Sequence, residues 1–189
     1  MSKVIVIEYV TLDGVVEDPD GRGGTPFGGW LFRFGPEAVA GDKFKLGEVF
    51  DTGVMLLGRH TWQLFSTLWP LRDDDFSQRM NAIPKIVASR SLEHVKDWEN
   101  SSLLEGDLVA EVSRLKQGQD VVVTGSGSVV EVLRANDLID QYRLIVLPTV
   151  LGQGRRLFDH PGPSADWSLV SVEQVGASFR VVYDRLRAE

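Results

Sequence analysis

Cysteine is absent from the 189 residues. That excludes disulfides, thiol nucleophiles and cysteine-ligated zinc or iron–sulfur centres. Histidine is scarce, and His60, His94 and His160 are scattered, which does not read as a histidine-rich metal site. No apolar run approaches the roughly eighteen residues of a membrane-spanning helix. The N-terminal Val4-Ile5-Val6-Ile7 meets Glu8 after four residues, too soon for a signal-peptide core. Positive charge is in deficit: 20 Lys and Arg against 27 Asp and Glu leave a net charge of −7. That argues against non-specific binding to nucleic acid or anionic membranes. The Rossmann glycine fingerprint and the Walker A loop are both missing. So is the Gly-x-Ser-x-Gly elbow of serine hydrolases. These absences leave a soluble cytoplasmic protein as the expectation, without a metal.

What is present is globular in composition, with 43% apolar and 25% charged residues. The length suits one domain that buries a substantial core, and no repeat, low-complexity tract or internal boundary interrupts it. Short apolar runs predict strands over residues 3–11, 54–57, 85–89, 119–124 and 139–147. Between them, helices are expected over 36–50, 59–67, 107–116 and from the turn at 125–128 to 134. Another lies within 71–82, where Asp73, Asp74 and Asp75 suit a helix N-terminus. Pro36 fits the first turn of the helix expected at 36–50. A last strand pair is predicted over 167–175 and 179–187. Strand and helix alternate before that pair, so the expected fold is α/β, with a mostly parallel central sheet and an antiparallel edge. Residues 21–35 hold six glycines together with Trp30, Phe32 and Phe34. A plain linker would be polar, so this reads as an ordered or closable surface loop.

In such sheets ligands gather where strands end and helices begin. Three turns qualify. Gly58-Arg59-His60-Thr61 and Gly125-Ser126-Gly127-Ser128 each follow an apolar strand and open a helix, and Ser89-Arg90-Ser91 follows a third strand. Helix N-termini offer unpaired N–H groups to phosphate, glycine lets the anion approach, and arginine presents a planar fork of donors. The alternative for each turn is structural: glycine ends a strand, serine or threonine caps a helix, and arginine is solvated. Three phosphate-compatible strand ends point to a ligand with several phosphates, such as a dinucleotide. Asp13, Glu37 and Asp42 are the candidate pocket carboxylates, each also plausible as a turn former or helix-end charge.

These residues carry a resemblance. Val54-Met55-Leu56-Leu57-Gly58-Arg59-His60-Thr61-Trp62 resembles the strand-and-turn motif of dihydrofolate reductases. Lys85-Ile86-Val87-Ala88-Ser89-Arg90 and Val122-Val123-Thr124-Gly125-Ser126-Gly127-Ser128 resemble the next two cofactor-facing strands. Thr11-Leu12-Asp13-Gly14, Met80-Asn81-Ala82-Ile83-Pro84-Lys85 and Leu147-Pro148-Thr149-Val150-Leu151-Gly152-Gln153-Gly154 are similar to one branch of that superfamily, the riboflavin-biosynthesis reductases of the RibD C-terminal domain type. The resemblance covers about residues 3–187 in a single domain.

It implies a three-layer, dihydrofolate-reductase-like fold, NADPH as hydride donor and a homodimer paired through residues 144–150 and the final hairpin. The family reaction it implies is reduction of 5-amino-6-(5-phosphoribosylamino)uracil. Gly58, Arg59, Thr61, Gly125, Ser126 and Gly127 would hold the phosphates, and Ser89 and Arg90 the adenosine end. The proton donor is Asp42 or Glu37. Asp42 stands sixteen residues before Gly58, a spacing like that of the folate enzymes' acid, whereas Glu37 lies in the predicted first turn of the helix. Arg33, Arg155 and Arg156 are cations available to a phosphoribosyl substrate. Dihydrofolate reduction, and nucleotide binding without turnover, are the alternative functions.

Overall fold

The computed structural model describes residues 2–187. Eight strands form one sheet: β1 Val4–Thr11, β2 Val54–Gly58, β3 Lys85–Ala88, β4 Ser101–Leu103, β5 Val121–Thr124, β6 Gln141–Leu147, β7 Trp167–Val175 and β8 Ser178–Arg185. The order is β4-β3-β2-β5-β1-β6-β8-β7. The helices are α1 Val49–Thr52, α2 Arg59–Ser66, α3 Asp75–Ala82, α4 Leu108–Leu115 and α5 Gly127–Ala135. Among the described residues no helix is long and apolar enough to cross a membrane.

The chain divides into two compact units. The first holds the residues up to Val6 and Leu46–Asp140; the second holds Ile7–Lys45 and the chain from Gln141 onward.

In the first unit β2 pairs parallel with β3 on one side and β5 on the other, and β3 pairs parallel with β4. Val54–Leu57 and Val121–Val123 are fully buried, which explains why these strands read as continuous apolar runs rather than alternating ones. β4 was not expected, because three residues are too few to show a period. The aspartates before α3 act as anticipated. Asp74 is its N-cap and accepts hydrogen bonds from Ser77 N (3.1 Å) and Ser77 Oγ (2.5 Å). Asp107 likewise caps α4 through Ala110 N at 2.9 Å. Phe50, Phe65, Trp69, Phe76 and Trp98 meet edge-to-face with centroids 5.5–6.3 Å apart.

Lys85, the first residue of β3, is buried to 1% exposure. Its Nζ donates to the carbonyls of Asn81 (2.8 Å), Ile83 (2.8 Å) and Glu99 (3.1 Å) and sits 4.3 Å from the centre of the Trp98 ring. Three donors meet three acceptors, so the cation is satisfied without water. Trp98 in turn donates to Asn81 Oδ1 at 2.7 Å, and Asn81 Nδ2 to Trp69 O at 3.1 Å. The cage ties the end of α3 to the turn before β4.

The second unit combines the antiparallel pairs β6–β8 and β7–β8 with the long segment after β1. The helix expected at 36–50 is absent. In its place are a 3-10 turn at Pro36–Ala38, an irregular stretch and the short α1, which begins only at Val49. Gly41, Lys45 and Gly47 all have positive φ, at 70°, 49° and 54°, which no right-handed helix admits. Carbonyls of this stretch pair with distant arginines instead. Arg143 donates to Phe44 O (3.1 Å) and Lys45 O (2.5 Å), and the buried Arg180 to Lys43 O (3.2 Å).

The glycine-rich loop is ordered around Asp18. The Asp18 carboxylate accepts from Gly23 N (2.6 Å), Thr25 N (2.9 Å) and Thr25 Oγ1 (2.8 Å). These bonds hold its pKa below the usual range although burial opposes them. At Gly28 a Cβ would lie 2.3 Å from an Asp18 carboxylate oxygen, so glycine there permits the close approach. Trp30, wholly buried, donates to Glu17 O at 2.9 Å and opens a 3-10 turn, Trp30–Phe34.

The Lys85 cage generates a prediction. Lys85→Met removes the ammonium donor from the Ile83 and Glu99 carbonyls. It is expected to lower the unfolding free energy by about 2–4 kcal/mol in urea melts at pH 7. Burial pushes the lysine's pKa down to about 8, against an opposing pull from Glu99. The folded value lies below the ordinary 10.5, so between these pH values the unfolded chain holds more protons. This group therefore makes the folded state more stable as pH rises through that window, and the gap between wild type and Lys85→Met should widen from pH 8 to pH 10.

Candidate functional site

Parallel pairing of β3, β2 and β5 brings their carboxyl ends out at one edge of the first unit's sheet. The three turns anticipated from the sequence follow those ends. After β2, Gly58 is the N-cap of α2, in extended conformation with φ −76° and ψ 159°. The amides of Arg59, His60 and Thr61 open the helix, and by helix geometry have no carbonyl within it to bond. Arg59 is half-buried, and its Nη2 lies 3.1 Å from His60 Nε2. After β5, Gly125 adopts φ +58°, and a Cβ there would meet Thr61 Cγ2 at 3.4 Å. Ser126 then caps α5, its carbonyl receiving Val129 N (2.8 Å) and Val130 N (3.0 Å). The amides of Gly127 and Ser128 begin that helix. After β3, Ser89 Oγ accepts from Ser91 N (3.2 Å) and Leu92 N (3.0 Å), bending the chain so that Arg90 stands exposed.

Gly58, Arg59, Thr61, Gly125, Ser126, Gly127, Ser89 and Arg90 therefore all belong to turns at neighbouring parallel strand ends. One departs in kind. The Ser126 hydroxyl is buried and bonded on both sides: it accepts from Gly58 N at 2.8 Å and donates to Thr124 O at 2.9 Å. Residue-type reasoning passed over His60 and Ser128. Their backbone amides qualify them, and only their place in a helix's first turn signals that. A cleft of about 460 Å³ also lies in this unit, along the flank of α2 beside Leu92, His94 and Asp97. Its lining includes none of the eight residues named above.

The carboxylate candidates lie in the second unit. Glu37 is exposed, in the turn Pro36–Ala38. Asp42 is half-buried and immediately precedes the stretch whose carbonyls Arg143 and Arg180 hold. That stretch is fixed further by Lys45 Nζ, 2.5 Å from Glu173 Oε2, while Arg180 Nη2 lies 2.6 Å from Glu173 Oε1. The Lys45 hydrogen bond, reinforced by Arg180, keeps Glu173 below the usual carboxylate range.

Asp13 ties two loops of the same unit together. It accepts from Thr11 Oγ1 (2.6 Å), Gly152 N (2.8 Å) and Leu151 N (3.3 Å). The Thr11 hydroxyl contributes most to holding its pKa down, at about 2. Arg156 Nε donates to Asp13 O at 2.9 Å, and Arg155 N to Glu17 Oε2 at 2.8 Å. Arg33 is exposed, with Nη2 3.4 Å from Phe27 O.

A parallel sheet with helix-opening glycine turns at adjacent strand ends, joined to an antiparallel C-terminal hairpin, defines an α/β protein of the dihydrofolate-reductase type. Within that class the chain belongs to the family of the RibD C-terminal domain, whose model matches residues 2–181. It is 27% identical over 164 residues to the uncharacterized protein YyaP of Bacillus subtilis, covering 82% of this chain and 80% of that one. A crystal structure of a candidate riboflavin biosynthesis protein from Shewanella sp. PV-4 shares the fold. Its TM-score is 0.75 at 23% identity, over 98% of this chain and 99% of that one. RibD of Acinetobacter baumannii has a TM-score of 0.63 at 18% identity, and the match spans 99% of this chain but 59% of RibD.

Gly125→Ala tests the local geometry without any ligand. A positive φ disfavours every residue with a Cβ, while the added methyl would make only ordinary contact with Thr61. A loss of about 1 kcal/mol in unfolding free energy is expected from denaturant melts.

Proposed function

We propose that the protein is an NADPH-dependent reductase that delivers hydride to a small heterocyclic or phosphoribosyl substrate of the 5-amino-6-(5-phosphoribosylamino)uracil kind. The observation that carries this reading is the set of three neighbouring strand-end turns in the first unit. Two of them open helices, whose first-turn N–H groups lie at the strand ends, and the third displays an exposed arginine. Membership of the RibD C-terminal domain family supports it.

The residues present fit a dinucleotide phosphate. Arg59, His60 and Thr61 offer amides at one helix start, and Gly127 and Ser128 at another. The helix dipoles favour an anion at both, and the missing Cβ of Gly125 keeps the approach open. Arg90 suits the 2′-phosphate with its planar fork, and Ser89 lies beside it. When bound, NADPH supplies the hydride. Of the two carboxylates, Asp42 is favoured as the residue that holds or moves the substrate's proton, because its neighbouring backbone is clamped by two arginines whereas Glu37 stands in solvent.

The protein is also proposed to act as a homodimer. Register places Leu144 and Val146 of β6, Phe179, Val181 and Tyr183 of β8, and Leu169 and Val172 of β7 on one face. Arg143 and Arg180 project from the other, beneath the 43–45 stretch. On the apolar face Leu169, Val172 and Phe179 are 56%, 55% and 39% exposed, and burying them against a second copy removes that surface from water.

Binding, substitution, activity and mass measurements check the proposal. NADPH at a hundred times its dissociation constant should stabilise the fold by about 2.7 kcal/mol, seen as a rise in thermal midpoint; no rise at millimolar NADPH contradicts it. Arg90→Ala should weaken NADPH about tenfold or more at low salt and leave NADH nearly unchanged. Equal loss for both cofactors would move Arg90 to a structural role. Activity with dihydrofolate in place of the phosphoribosyl pyrimidine would redirect the substrate assignment, and binding without oxidation by either would leave a nucleotide-binding protein. For the dimer, light scattering should give twice the protomer's 21.0 kDa, and Leu169→Asp should return the mass to that of one chain.

A further inference from the structure

One buried polar side chain among the strand-end turns faces neither solvent nor an anion. Ser126 is 4% exposed and lies between the two glycine turns. An anion accepts hydrogen bonds, so a hydroxyl serves it only by donating its one proton. The Ser126 proton goes to Thr124 O at 2.9 Å, within its own strand end. Its oxygen meanwhile accepts the amide of Gly58 at 2.8 Å, across 68 residues of sequence. Gly58 is the N-cap of α2 and Ser126 the N-cap of α5, so one hydroxyl joins the caps of both helices. Neither cap residue makes a side-chain bond to its own helix. The serine therefore satisfies the amide of the neighbouring strand end rather than capping α5 in the usual way.

We infer that Ser126 is a positioning residue, not a phosphate ligand: its hydroxyl staples the end of β2 to the end of β5 and fixes the spacing of the two turns that together receive one pyrophosphate. The contact at Gly125 points the same way. The turn passes close enough to Thr61 that a methyl group would touch it, so the two helix starts are set against each other at two places. A pyrophosphate spanning both turns needs that spacing fixed in advance. A monophosphate held only at the Ser89–Arg90 end does not, because neither residue bonds to Ser126. Pre-organisation of this kind shows as affinity, since less ordering remains to be done on binding.

The inference rests on the NADPH reading, and its test separates the two. In ligand-free protein the Gly58 amide should exchange with deuterium about tenfold faster or more in Ser126→Ala than in wild type, because the Ser126 Oγ acceptor is gone. The exchange of Val87, in the neighbouring β3, should stay the same. An unchanged Gly58 rate overturns the staple whatever the cofactor does. Ligand binding is read by calorimetry with NADP+, ADP and 2′-AMP. Ser126→Ala should weaken NADP+ and ADP about five- to tenfold and leave 2′-AMP within twofold, and Ser126→Thr, which keeps the hydroxyl, should restore most of the loss. Equal weakening of all three ligands, or of none, overturns the inference. If wild type binds none of them, the NADPH reading fails, and the exchange measurement still decides the staple.

Discussion

Parallel pairing of β2 between β3 and β5 is the constraint on which the rest of the first unit depends. Parallel strands all end on the same edge, so each must be followed by a turn there and, for β2 and β5, by a helix starting at that edge. The helix dipoles then add at one place, and several backbone amides come together without any basic residue in the turns beyond Arg59 and Arg90. On the proposed reading, a chain of net charge −7 would in this way hold a local site for anions while its overall field repels them. Complete burial of Val54–Leu57 and Val121–Val123 keeps the register from slipping, because a shifted strand would bring polar flanking residues into the core.

The second unit shows a different economy. Arg143 and Arg180 rise from the sheet and bind backbone carbonyls rather than carboxylates alone. The result is a segment, 43–45, with a defined path but no regular secondary structure. Asp13 does the same for the loop at 151–152 with a carboxylate and backbone amides. Irregular chain is thus held by side-chain-to-backbone bonds wherever helix or strand geometry is unavailable to it.

How much of this was legible in the sequence follows from the range of the interactions. The apolar runs at 54–57 and 119–124, the aspartate cap before α3 and the glycine turns are local signals, and the elements appear where they were expected. The stretch from Pro36 to Phe50 misled because Val39, Phe44, Leu46, Val49 and Phe50 suggest a helical face. What decides its path is Arg143, some hundred residues later, together with the positive φ at Gly41, Lys45 and Gly47. Ser126 could be placed in a glycine turn by its neighbours, but the amide its oxygen accepts, Gly58 N, comes from a strand pairing that no local pattern encodes. Lys85 reads as an ordinary lysine at a strand start, and only the fold assembles the carbonyls and the indole around it.

Backbone amide chemical shifts followed through a titration with NADP+ test the central claim, that the three strand-end turns form a dinucleotide site. The largest changes should fall on Arg59, His60 and Thr61, on Gly127 and Ser128, and on Ser89 to Ser91, saturating together with one dissociation constant. Absence of changes at saturating NADP+, or changes confined to the flank of α2 around Leu92, His94 and Asp97, would contradict it.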